Sequence, residues 1–480
     1  MTHETILGLL ILTPLVGAFA LPLASLVSES FRNLLALAMV GVSVLCAAFL
    51  VPVVVAGGSV TISVPLAIGE TLFYADGLAV FMALVSASVS LVIVFYSFGY
   101  IRHYENRNEY YTMVVLFLGA MMGLVFSRNL IYLFVFWEIT AFTCWRLIGF
   151  FREPKIILRA DKAFLITVFG ALMMLVGFLS VYAETGSFDL GVIKTALAGK
   201  TVSNLAVLLI LFGILSKSAT LPLHTWLPDA GVAPSPVTAL LHAAVLVKIG
   251  VYVFARLFVM TMDVDALWHT VVPIIAAASA LVSAGAAFIE TDMKRIIAYS
   301  TISQIGFILL GLSVGTQTGF SGGLLYILMH GIAKGGLFLC AGIIEHGTHT
   351  KDITKMGGLI RTMPLTAIAF LFCAFSVMGI PPFGGFFSKY LVIAGAVDSG
   401  QITLTIVFVI GAVMTILYLF RLFTMVFMGE EKIKTESEGT PSMVGSVVFL
   451  AALSLASGLL VAFPSGFVQT AIVAFAGGLR

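Results

Sequence analysis

Long apolar segments separated by short polar breaks run through the whole chain. Reading the apolar runs between charged or Pro- and Gly-rich breaks gives fourteen segments, at 6–27, 33–56, 76–99, 111–127, 130–150, 162–182, 203–221, 236–258, 270–289, 295–314, 319–344, 364–396, 402–427 and 443–464. A helix needs about 20 apolar residues to cross the hydrocarbon layer of a bilayer. The pattern therefore predicts an all-α polytopic membrane protein with about fourteen transmembrane helices.

The composition supports this interpretation. Hydrophobic residues make up 60% of the 480 residues and charged residues only 10%, whereas charged residues are about 25% of a typical soluble domain. A soluble enzyme, a secreted disulfide-rich protein and a disordered chain are therefore excluded. The net charge is +2, and the sequence has no basic patch with interleaved aromatic residues, so we expect no nucleic-acid partner.

Nothing in the sequence indicates a metal or a cofactor, and we expect neither. The four cysteines lie within apolar runs and form no CxxC pair, which favours buried, inert thiols: Cys46, Cys144, Cys340 and Cys373. The sequence has no GxxxxGK[ST] motif, so ATP is not expected to drive the protein. The first apolar segment follows His3 and Glu4 rather than a basic stretch, which favours a retained first helix over a cleaved signal peptide.

The lysine and arginine residues test the number and the orientation of the spans. With the N-terminus outside, fifteen of the 25 cations fall in cytoplasmic loops: Arg32, Arg102, Arg107, Arg152, Lys155, Arg159, Lys162, Lys294, Arg295, Lys351, Lys355, Arg361, Arg421, Lys432 and Lys434. Five fall on the opposite side: Arg128, Lys194, Lys200, Arg256 and Arg480. Because cytoplasmic loops are enriched in Lys and Arg, this distribution predicts an N-terminus outside a prokaryotic inner membrane.

The remaining five cations lie within predicted spans: Arg146, Lys217, Lys248, Lys334 and Lys389. A charge at the bilayer centre costs about 2.5–3.5 kcal/mol on insertion scales, so such residues need partners or water. At a helical rise of about 1.5 Å per residue, most of an intramembrane charged set lies near mid-depth: Glu138, Lys217, Lys248, His330 and Lys334. These side chains are predicted to form a layer across the membrane plane.

Two spans carry helix breakers beside a lysine. In span 7, Lys217 precedes Pro222, and in span 12, Lys389 follows the pair Pro381-Pro382. Proline removes a backbone donor, and non-helical backbone at membrane depth is tolerated only inside protein or beside water. Paired interrupted helices are typical of transporters and indicate the ion path.

Each of these charged residues also has a structural alternative. Glu138 can be a structural acid paired with a lysine, and Lys217 and Lys389 can cap the ends of broken helices. Lys248 can extend to the membrane surface if its span is displaced by a full turn. The sequence leaves these alternatives open beside a role in transport.

Histidines and helix-end residues are auxiliary candidates. His330 and Lys334 are four residues apart and share a helix face, so they can form a packing pair. His242 can be a hydrogen-bonded core histidine, and Arg146 lies near a span end where it can snorkel. Three further residues fit helix-end or loop positions: Asp76, His224 and Asp229.

The chemistry of this set suits proton transfer. Burial and neighbouring charges bring the proton affinities of lysine and glutamate towards the physiological range, and histidine titrates there without perturbation. A Glu–Lys pair whose separation changes can therefore load and release protons. Since the chain carries no energy source of its own, an ion gradient or a partner complex must drive it.

Several stretches of the sequence resemble the antiporter-like subunits of respiratory complex I, of Mrp-type multisubunit Na⁺/H⁺ antiporters and of membrane-bound hydrogenases. The resemblance covers roughly 75–430 and is carried by these residues: Phe136–Thr140, Lys217–Ala230, Pro234–Lys248, Lys294–Gln304, His330 with Lys334, and Gly379–Lys389. The family fold has fourteen helices, two inverted five-helix repeats and two discontinuous helices, here spans 7 and 12. The resemblance thus implies N-terminal helices at 1–105, repeats at 106–260 and 261–430, and a last helix at 431–480.

The resemblance also implies roles for the charged residues. Glu138 is similar to the essential glutamate of the fifth helix and Lys217 to its lysine partner, which together gate uptake. The family's proton row then continues through the eighth, eleventh and twelfth helices: Lys248, His330, Lys334 and Lys389. We call these six positions the relay residues.

Three features refine the resemblance. Lys389 stands where one type of complex I subunit has glutamate, and Arg146 replaces an expected uncharged residue near Glu138. The chain ends soon after span 14, so it is expected to resemble a middle complex I subunit or a D-type antiporter subunit.

Three functions follow as hypotheses. The first is a proton-translocating, or Na⁺/H⁺-translocating, subunit of a larger complex, with membrane lipid, other membrane subunits and homologous antiporter-like subunits as partners. The second is a stand-alone secondary cation/proton antiporter. The third is a haem-binding electron-transfer protein, which requires histidines facing each other at matched depths.

Overall fold

The computed structural model describes residues 2–63, 71–433, 435, 437–476 and 479. Twelve helices within this part of the chain are long and apolar enough to cross a membrane: His3–Val27, Glu29–Val55, Gly77–His103, Arg107–Phe126, Leu130–Ile148, Pro154–Thr185, Ser235–Val259, Trp268–Ile289, Met293–Ser313, Gln317–Thr348, Ile402–Phe427 and Pro441–Leu459. They are spans 1–6, 8–11, 13 and 14. Two shorter apolar helices, Asn204–Lys217 and Pro364–Met378, begin the interrupted spans 7 and 12, which confirms a polytopic helical membrane protein.

The two interruptions fall at the predicted proline sites. In span 7 the first arm ends at Lys217, a turn occupies 218–225, and a short helix follows at Trp226–Asp229. In span 12 the chain leaves the helix over 379–383 and resumes as a second arm, Gly384–Asp398. The last carbonyl groups of each first arm therefore have no partner within their own helix.

Glycines let the two arms of span 12 cross closely. Gly379 ends the first arm with a φ of 81°, a left-handed conformation that glycine adopts without steric cost. Gly385 lies so near the first arm that a Cβ atom there would be 1.8 Å from the carbonyl oxygen of Ser376. The break is thus built from backbone packed against backbone.

Burial divides the helices into inner and outer members. Spans 4, 8, 10 and 11 are almost wholly buried, whereas spans 1, 2, 6 and 13 bury one face and expose apolar side chains on the other. Leu26 and Leu158, for example, are 83% and 68% exposed. Such an apolar outer surface suits contact with lipid and not with water. Spans 8, 10 and 11, which carry polar relay residues or their partners, lie at the centre.

The apolar pattern missed two features. An antiparallel hairpin, β1 (Val60–Ser63) and β2 (Thr71–Ala75), lies between spans 2 and 3. Span 8 contains two π-helical turns, Leu240–Ala244 and Ala255–Val259. A π turn adds one residue to the helical repeat, and a uniformly apolar helix has no polar face against which that shift would show.

Two cations expected in loops lie instead within packed helices. Arg256 is 6% exposed in the last turn of span 8, and Lys294 is 1% exposed in the first turn of span 10. Sequence patterns place helix boundaries only to within about two to four residues, which is enough to move a residue from loop to helix end. Lys434 and Arg480 lie outside the described residues.

The interrupted spans are separated by five positions in the order of spans, as two five-helix repeats require. The inverted relation of the repeats, the segment boundaries after residues 105, 260 and 430, and the orientation in the membrane stay predictions.

We expect Gly385→Ala to lower the thermal stability of the purified protein, because the added methyl group would push the two arms of span 12 apart. Overpacking of this kind costs about 1–3 kcal/mol. The matched control is Gly285→Ala in span 9, where nothing lies within 4 Å of the Cβ position. That change should leave stability unchanged or raise it, since alanine is favoured over glycine in helices by about 0.5–1 kcal/mol. Equal melting temperatures for the two variants would contradict the close crossing.

Candidate functional site

Lys217 and Glu138 lie near each other at the first interruption. Lys217 is fully buried at the end of the first arm of span 7. Its Nζ donates a 3.0 Å hydrogen bond to the carbonyl oxygen of Trp137 and lies 5.0 Å from the centre of the Trp137 ring. Glu138 is the next residue, and its charge interacts with that of Lys217.

The predicted Glu138–Lys217 ion pair is open in this structure. Both residues are described, and their charged atoms are not within ion-pair distance. The Oε1 atom of Glu138 is buried and accepts no hydrogen bond within the described part of the chain. Because an unpaired buried carboxylate is costly, this oxygen is available to a proton, to a water molecule or to Lys217 after a small movement.

Lys248 and His330 are in direct contact at the centre of the protein. The Nζ of Lys248, on span 8, is hydrogen-bonded to Nδ1 of His330, on span 11. Both side chains have no exposed surface, so Lys248 does not extend to the membrane surface, and that alternative is wrong. The partner of His330 is accordingly a lysine of another span, although Lys334 follows one turn later on its own helix.

The contact restricts where protons can reside. An ammonium group can donate to Nδ1 only if that nitrogen is unprotonated, and a protonated Nδ1 can donate only to a neutral amine. The line between the two atoms therefore holds one proton. The Nε2 atom of His330 has no partner among the described residues, and the tautomer of the ring decides whether it carries the second proton.

Lys334 begins a hydrogen-bonded chain that the sequence did not predict. Its Nζ donates to Ser300 Oγ at 2.6 Å, and Tyr418 Oη donates to the same oxygen at 2.7 Å. Gln304 Nε2 donates to Tyr418 Oη at 3.4 Å, while Gln304 Oε1 accepts from Tyr326 Oη at 2.6 Å. The chain crosses spans 11, 10 and 13 and returns to span 11.

Lys389 lies at the far end of this chain. Its Nζ lies 5.6 Å from the centre of the Tyr326 ring and 4.6 Å from that of Phe307. It also donates a 2.7 Å hydrogen bond to the carbonyl oxygen of Val377, in the first arm of span 12. The capping alternative for Lys389 therefore describes its geometry correctly, whereas Lys217 bonds to a different helix. A cap and a proton-carrying amine are compatible in one lysine.

The auxiliary histidines have different surroundings. His242 is fully buried in the first π turn of span 8, with its ring centre 4.4 Å from that of Phe338. Neither of its ring nitrogens has a partner within the described residues, so the alternative of a hydrogen-bonded core histidine is wrong. His224 lies in the turn of span 7, and its Nδ1 likewise has no hydrogen-bond partner there.

Arg146 belongs to the membrane face and not to the relay. It lies in the last turn of span 5, and its guanidinium forms an ion pair with Glu109, with an Nε–Oε1 distance of 2.8 Å. Arg152 binds the other oxygen of the same carboxylate. The charge of Arg146 is thus compensated locally, which confirms that it snorkels and explains how a cation is tolerated near Glu138.

Asp229 clamps the base of the first interruption. Lys162 of span 6 donates to its Oδ2 at 2.7 Å, and Arg295 of span 10 donates to its Oδ1 at 2.7 Å. Burial alone would raise the pKa of Asp229, but the hydrogen bonds from Lys162 and Arg295 outweigh it and hold that pKa below its ordinary value. Asp229 therefore joins the two predicted halves, in agreement with its structural alternative.

A second buried ion pair lies on the same face. The Nζ of Lys294 is 2.6 Å from Glu345 Oε2 and donates to the carbonyl oxygen of Ala233 at 3.0 Å. Among the described residues, no group of three or more His, Cys, Asp or Glu side chains is arranged to hold a metal ion. The chemistry available at this site is therefore that of amines, imidazoles, hydroxyls and one carboxylate.

An interrupted-helix membrane fold with buried lysines at mid-depth defines a class of ion-translocating proteins, and the comparisons agree. Residues 127–415 match the family described as NADH:quinone oxidoreductase/Mrp antiporter, transmembrane. Residues 69–111 match the N-terminal region of complex I chain 5. The chain belongs to the NADH:quinone oxidoreductase/Mrp antiporter family.

Curated relatives share about a third of their residues with this chain. An Na⁺/H⁺ antiporter protein of Alkalihalophilus pseudofirmus is 35% identical over 455 residues, 87% of this chain and 56% of that protein. Chain 5 of the NAD(P)H-quinone oxidoreductase of Synechocystis sp. is 35% identical over 372 residues, 74% of this chain and 54% of that protein. The chain thus spans about half the length of the curated relatives it matches. Its expected likeness to a middle complex I subunit or a D-type subunit stays a prediction.

Solved structures share the whole fold. A chain of the Mrp complex from Dietzia sp. DQ12-45-1b matches with a TM-score of 0.89 at 25% identity, covering 98% of this chain and 97% of that one. A chain of the archaeal membrane-bound sulfane sulfur reductase gives 0.90 at 26% identity with the same coverage. A chain of Thermus thermophilus complex I gives 0.87 at 24% identity over 99% and 100%, which supports the fold alone.

The Asp229 clamp predicts a pH-dependent stability. A carboxylate whose folded-state pKa is lowered contributes stability that is present above its unfolded pKa, about 3.9, and is lost as the pH falls through the folded value. We expect Asp229→Asn to lower the melting temperature at neutral pH and to reduce the further loss below about pH 4. Melting temperatures measured from pH 3 to 7 test this.

Asp398→Asn is the control for this experiment, because Asp398 is exposed at the end of span 12. It should not destabilise the protein at neutral pH. If Asp229→Asn melts like the unmodified protein throughout the range, the clamp contributes nothing.

Proposed function

We propose that the protein is a proton-translocating, antiporter-like subunit of a multisubunit membrane complex, driven by a redox reaction or by exchange of another cation. The observation that carries this proposal is the buried contact between Lys248 and His330, since two titratable groups sharing one proton at mid-membrane have little value for stability alone. Family membership and the neighbouring membrane complexes support it.

Uptake is assigned to Glu138 and Lys217. When the pair closes, the proton of a neutral Glu138 passes to a neutral Lys217, leaving a carboxylate beside an ammonium group. When the pair opens, the uncompensated charges favour the neutral forms again, and Lys217 gives up its proton. The open geometry and the unpartnered Oε1 of Glu138 represent one of these two arrangements.

Transfer continues through the centre of the protein. Spans 7 and 8 pack against each other, and Lys248 receives the proton on the eighth span. From Lys248 it moves to Nδ1 of His330, and release from Nε2 passes it on, which is the property that lets an imidazole relay protons. His242 lies close enough for its charge to interact with those of Lys248 and Lys334, so it serves as an auxiliary relay group.

The second half leads to Lys389. Ser300 and Tyr418 join Lys334 through hydroxyl groups, which can pass protons along a hydrogen bond. Gln304 then fixes the direction of the Tyr418 and Tyr326 hydroxyl groups, because its amide donates on one side and its carbonyl accepts on the other. Release near Lys389 completes the path.

The nature of the path favours protons over Na⁺ as the species it carries. Hard cations are held by oxygen ligands, whereas the relay residues after Glu138 offer nitrogen. In an Na⁺/H⁺ antiporter the Na⁺ route would accordingly lie outside this row. We further propose a prokaryotic inner membrane, the N-terminus outside, and other membrane subunits, homologous subunits and lipid as partners.

The alternatives receive less support. A stand-alone secondary antiporter predicts transport by the isolated chain in liposomes, whereas the three solved neighbours are parts of membrane complexes. A haem protein needs free histidine nitrogens, but Nδ1 of His330 is bound to Lys248 and His242 packs against Phe338.

Neutralising the uptake pair tests the proposed path. We expect Lys217→Ala and Glu138→Gln to reduce proton transport to the background of vesicles without the complex, because the first transfer loses its donor or acceptor. Transport is measured as acidification of everted membrane vesicles carrying the whole complex, with assembly checked by co-purification. Lys200→Ala, at an exposed position on the opposite face, should transport normally. Normal transport in an assembled Lys217→Ala complex would refute the uptake assignment.

A further inference from the structure

Below Lys248, span 8 carries a line of polar residues towards one membrane face. Lys248, Tyr252 and Arg256 are four residues apart and therefore share one helix face. The hydroxyl group of Tyr252 donates to the carbonyl oxygen of Val125, and Nε of Arg256 donates to Tyr252 Oη at 3.1 Å. Only two side chains thus follow Lys248 in this direction.

Arg256 is held from its other side by a carboxylate. Its two terminal nitrogens bind the two oxygens of Asp76 at 2.5 and 2.7 Å, the bidentate arrangement that fixes a guanidinium most firmly. Asp76 also accepts from the backbone N–H of Ala79 at the start of span 3. Burial would raise the pKa of Asp76, but Arg256 and that N–H hold it below its ordinary value, so the pair is ionised at neutral pH.

A polar cavity of about 350 Å³ begins at this ion pair. Asp76 and Arg256 line its inner end, and Tyr74, Arg128 and Lys194 line it further out. These residues lie on the face that the cation distribution assigns to the outside. Water in the cavity would therefore stand two helical turns, or about 12 Å of helix, from the relay.

We propose that Arg256, fixed by Asp76 and Tyr252, is a charge barrier that closes the first half of the proton path to the outer face. An arginine remains protonated at all physiological pH values, and a fixed guanidinium in a narrow polar passage excludes protons and other cations electrostatically. The inference rests on the proposed function and on the proposed orientation.

A barrier is required at this position if the relay pumps protons. A titratable lysine connected to outside water through a hydrogen-bonded tyrosine would otherwise lose its proton to that side at once. The guanidinium lies between the Tyr252 hydroxyl group and the Asp76 carboxylate, so its positive charge faces the relay. Arg128, whose Nε is 3.3 Å from Asp189 Oδ2, and Lys194 add positive charge to the cavity.

Passive proton conductance tests the barrier directly. We expect Arg256→Gln to raise the conductance of everted vesicles carrying the complex, without any driving substrate, by about tenfold, the effect of one unit charge two helical turns away. The double variant Asp76→Asn/Arg256→Gln removes both charges, leaves no unpaired carboxylate and should leak equally. Arg256→Lys keeps the charge and should stay tight, as should Lys194→Ala, which removes a cavity cation outside the barrier.

Tight vesicles containing an assembled double variant would overturn the proposal. If these variants fail to assemble, thiol accessibility decides, since the four native cysteines are buried. A membrane-impermeant thiol reagent applied from outside should modify Lys194→Cys rapidly and leave Lys248→Cys unmodified. Comparable rates at both positions would show that the outer face reaches the relay, against the proposal.

The two proposals fail in different ways. Loss of the uptake assignment appears as normal transport in Lys217→Ala, whatever the conductance of the Arg256 variants. Loss of the barrier appears as unchanged passive conductance in those variants, while Lys217→Ala still abolishes transport. A purely structural ion pair would lower the melting temperature of the Arg256 variants without raising conductance.

Discussion

The contact between Lys248 and His330 is the interaction around which the rest of the interior is arranged. An amine at the bilayer centre is tolerated only with a partner, and this partner is itself titratable. The two spans that carry the pair are therefore enclosed on all sides, and spans 8 and 11 are almost wholly buried. Each remaining buried lysine has at least one oxygen acceptor as well, at Trp137, Ser300 or Val377. Such a small set of bonds holds a lysine in place while leaving most of its donors free to respond to protonation.

The broken helices and the buried lysines depend on each other. Where a helix stops inside the membrane, its last carbonyl groups lose their partners, and a lysine is a donor long enough to reach them. Lys389 does this for the first arm of span 12 by binding Val377. Gly385 permits it, because only a residue without a Cβ atom lets the second arm pass the carbonyl group of Ser376. The interruption thus places a charge at mid-depth and provides its first bond in the same step.

The sequence was sufficient for the spans and for the relay residues, since apolar runs and isolated charges within them are unambiguous signals. It was insufficient for the partners of these residues. Ser300, Tyr418 and Gln304 are uncharged residues in apolar helices, and nothing in one sequence distinguishes them from other polar residues that face a core. The open state of Glu138 and Lys217 depends on side-chain distances of a few ångströms, which no pattern encodes. Arg256 was assigned to a loop because the apolar run ends beside it, although the π turn carries the helix further.

The layer of relay residues also constrains where protons can enter and leave. A row that lies parallel to the membrane plane moves charge sideways, so net transport requires access from one face near one end and from the other face near the other end. At the first half, the cavity next to Asp76 approaches the row from the proposed outside, and Arg256 stands between them. With that route closed, a proton taken up at Glu138 has no shorter way out than the row itself, through His330 and the Ser300–Tyr418 chain to Lys389. The fixed charge on span 8 would then determine the direction of transport as much as the titratable groups do.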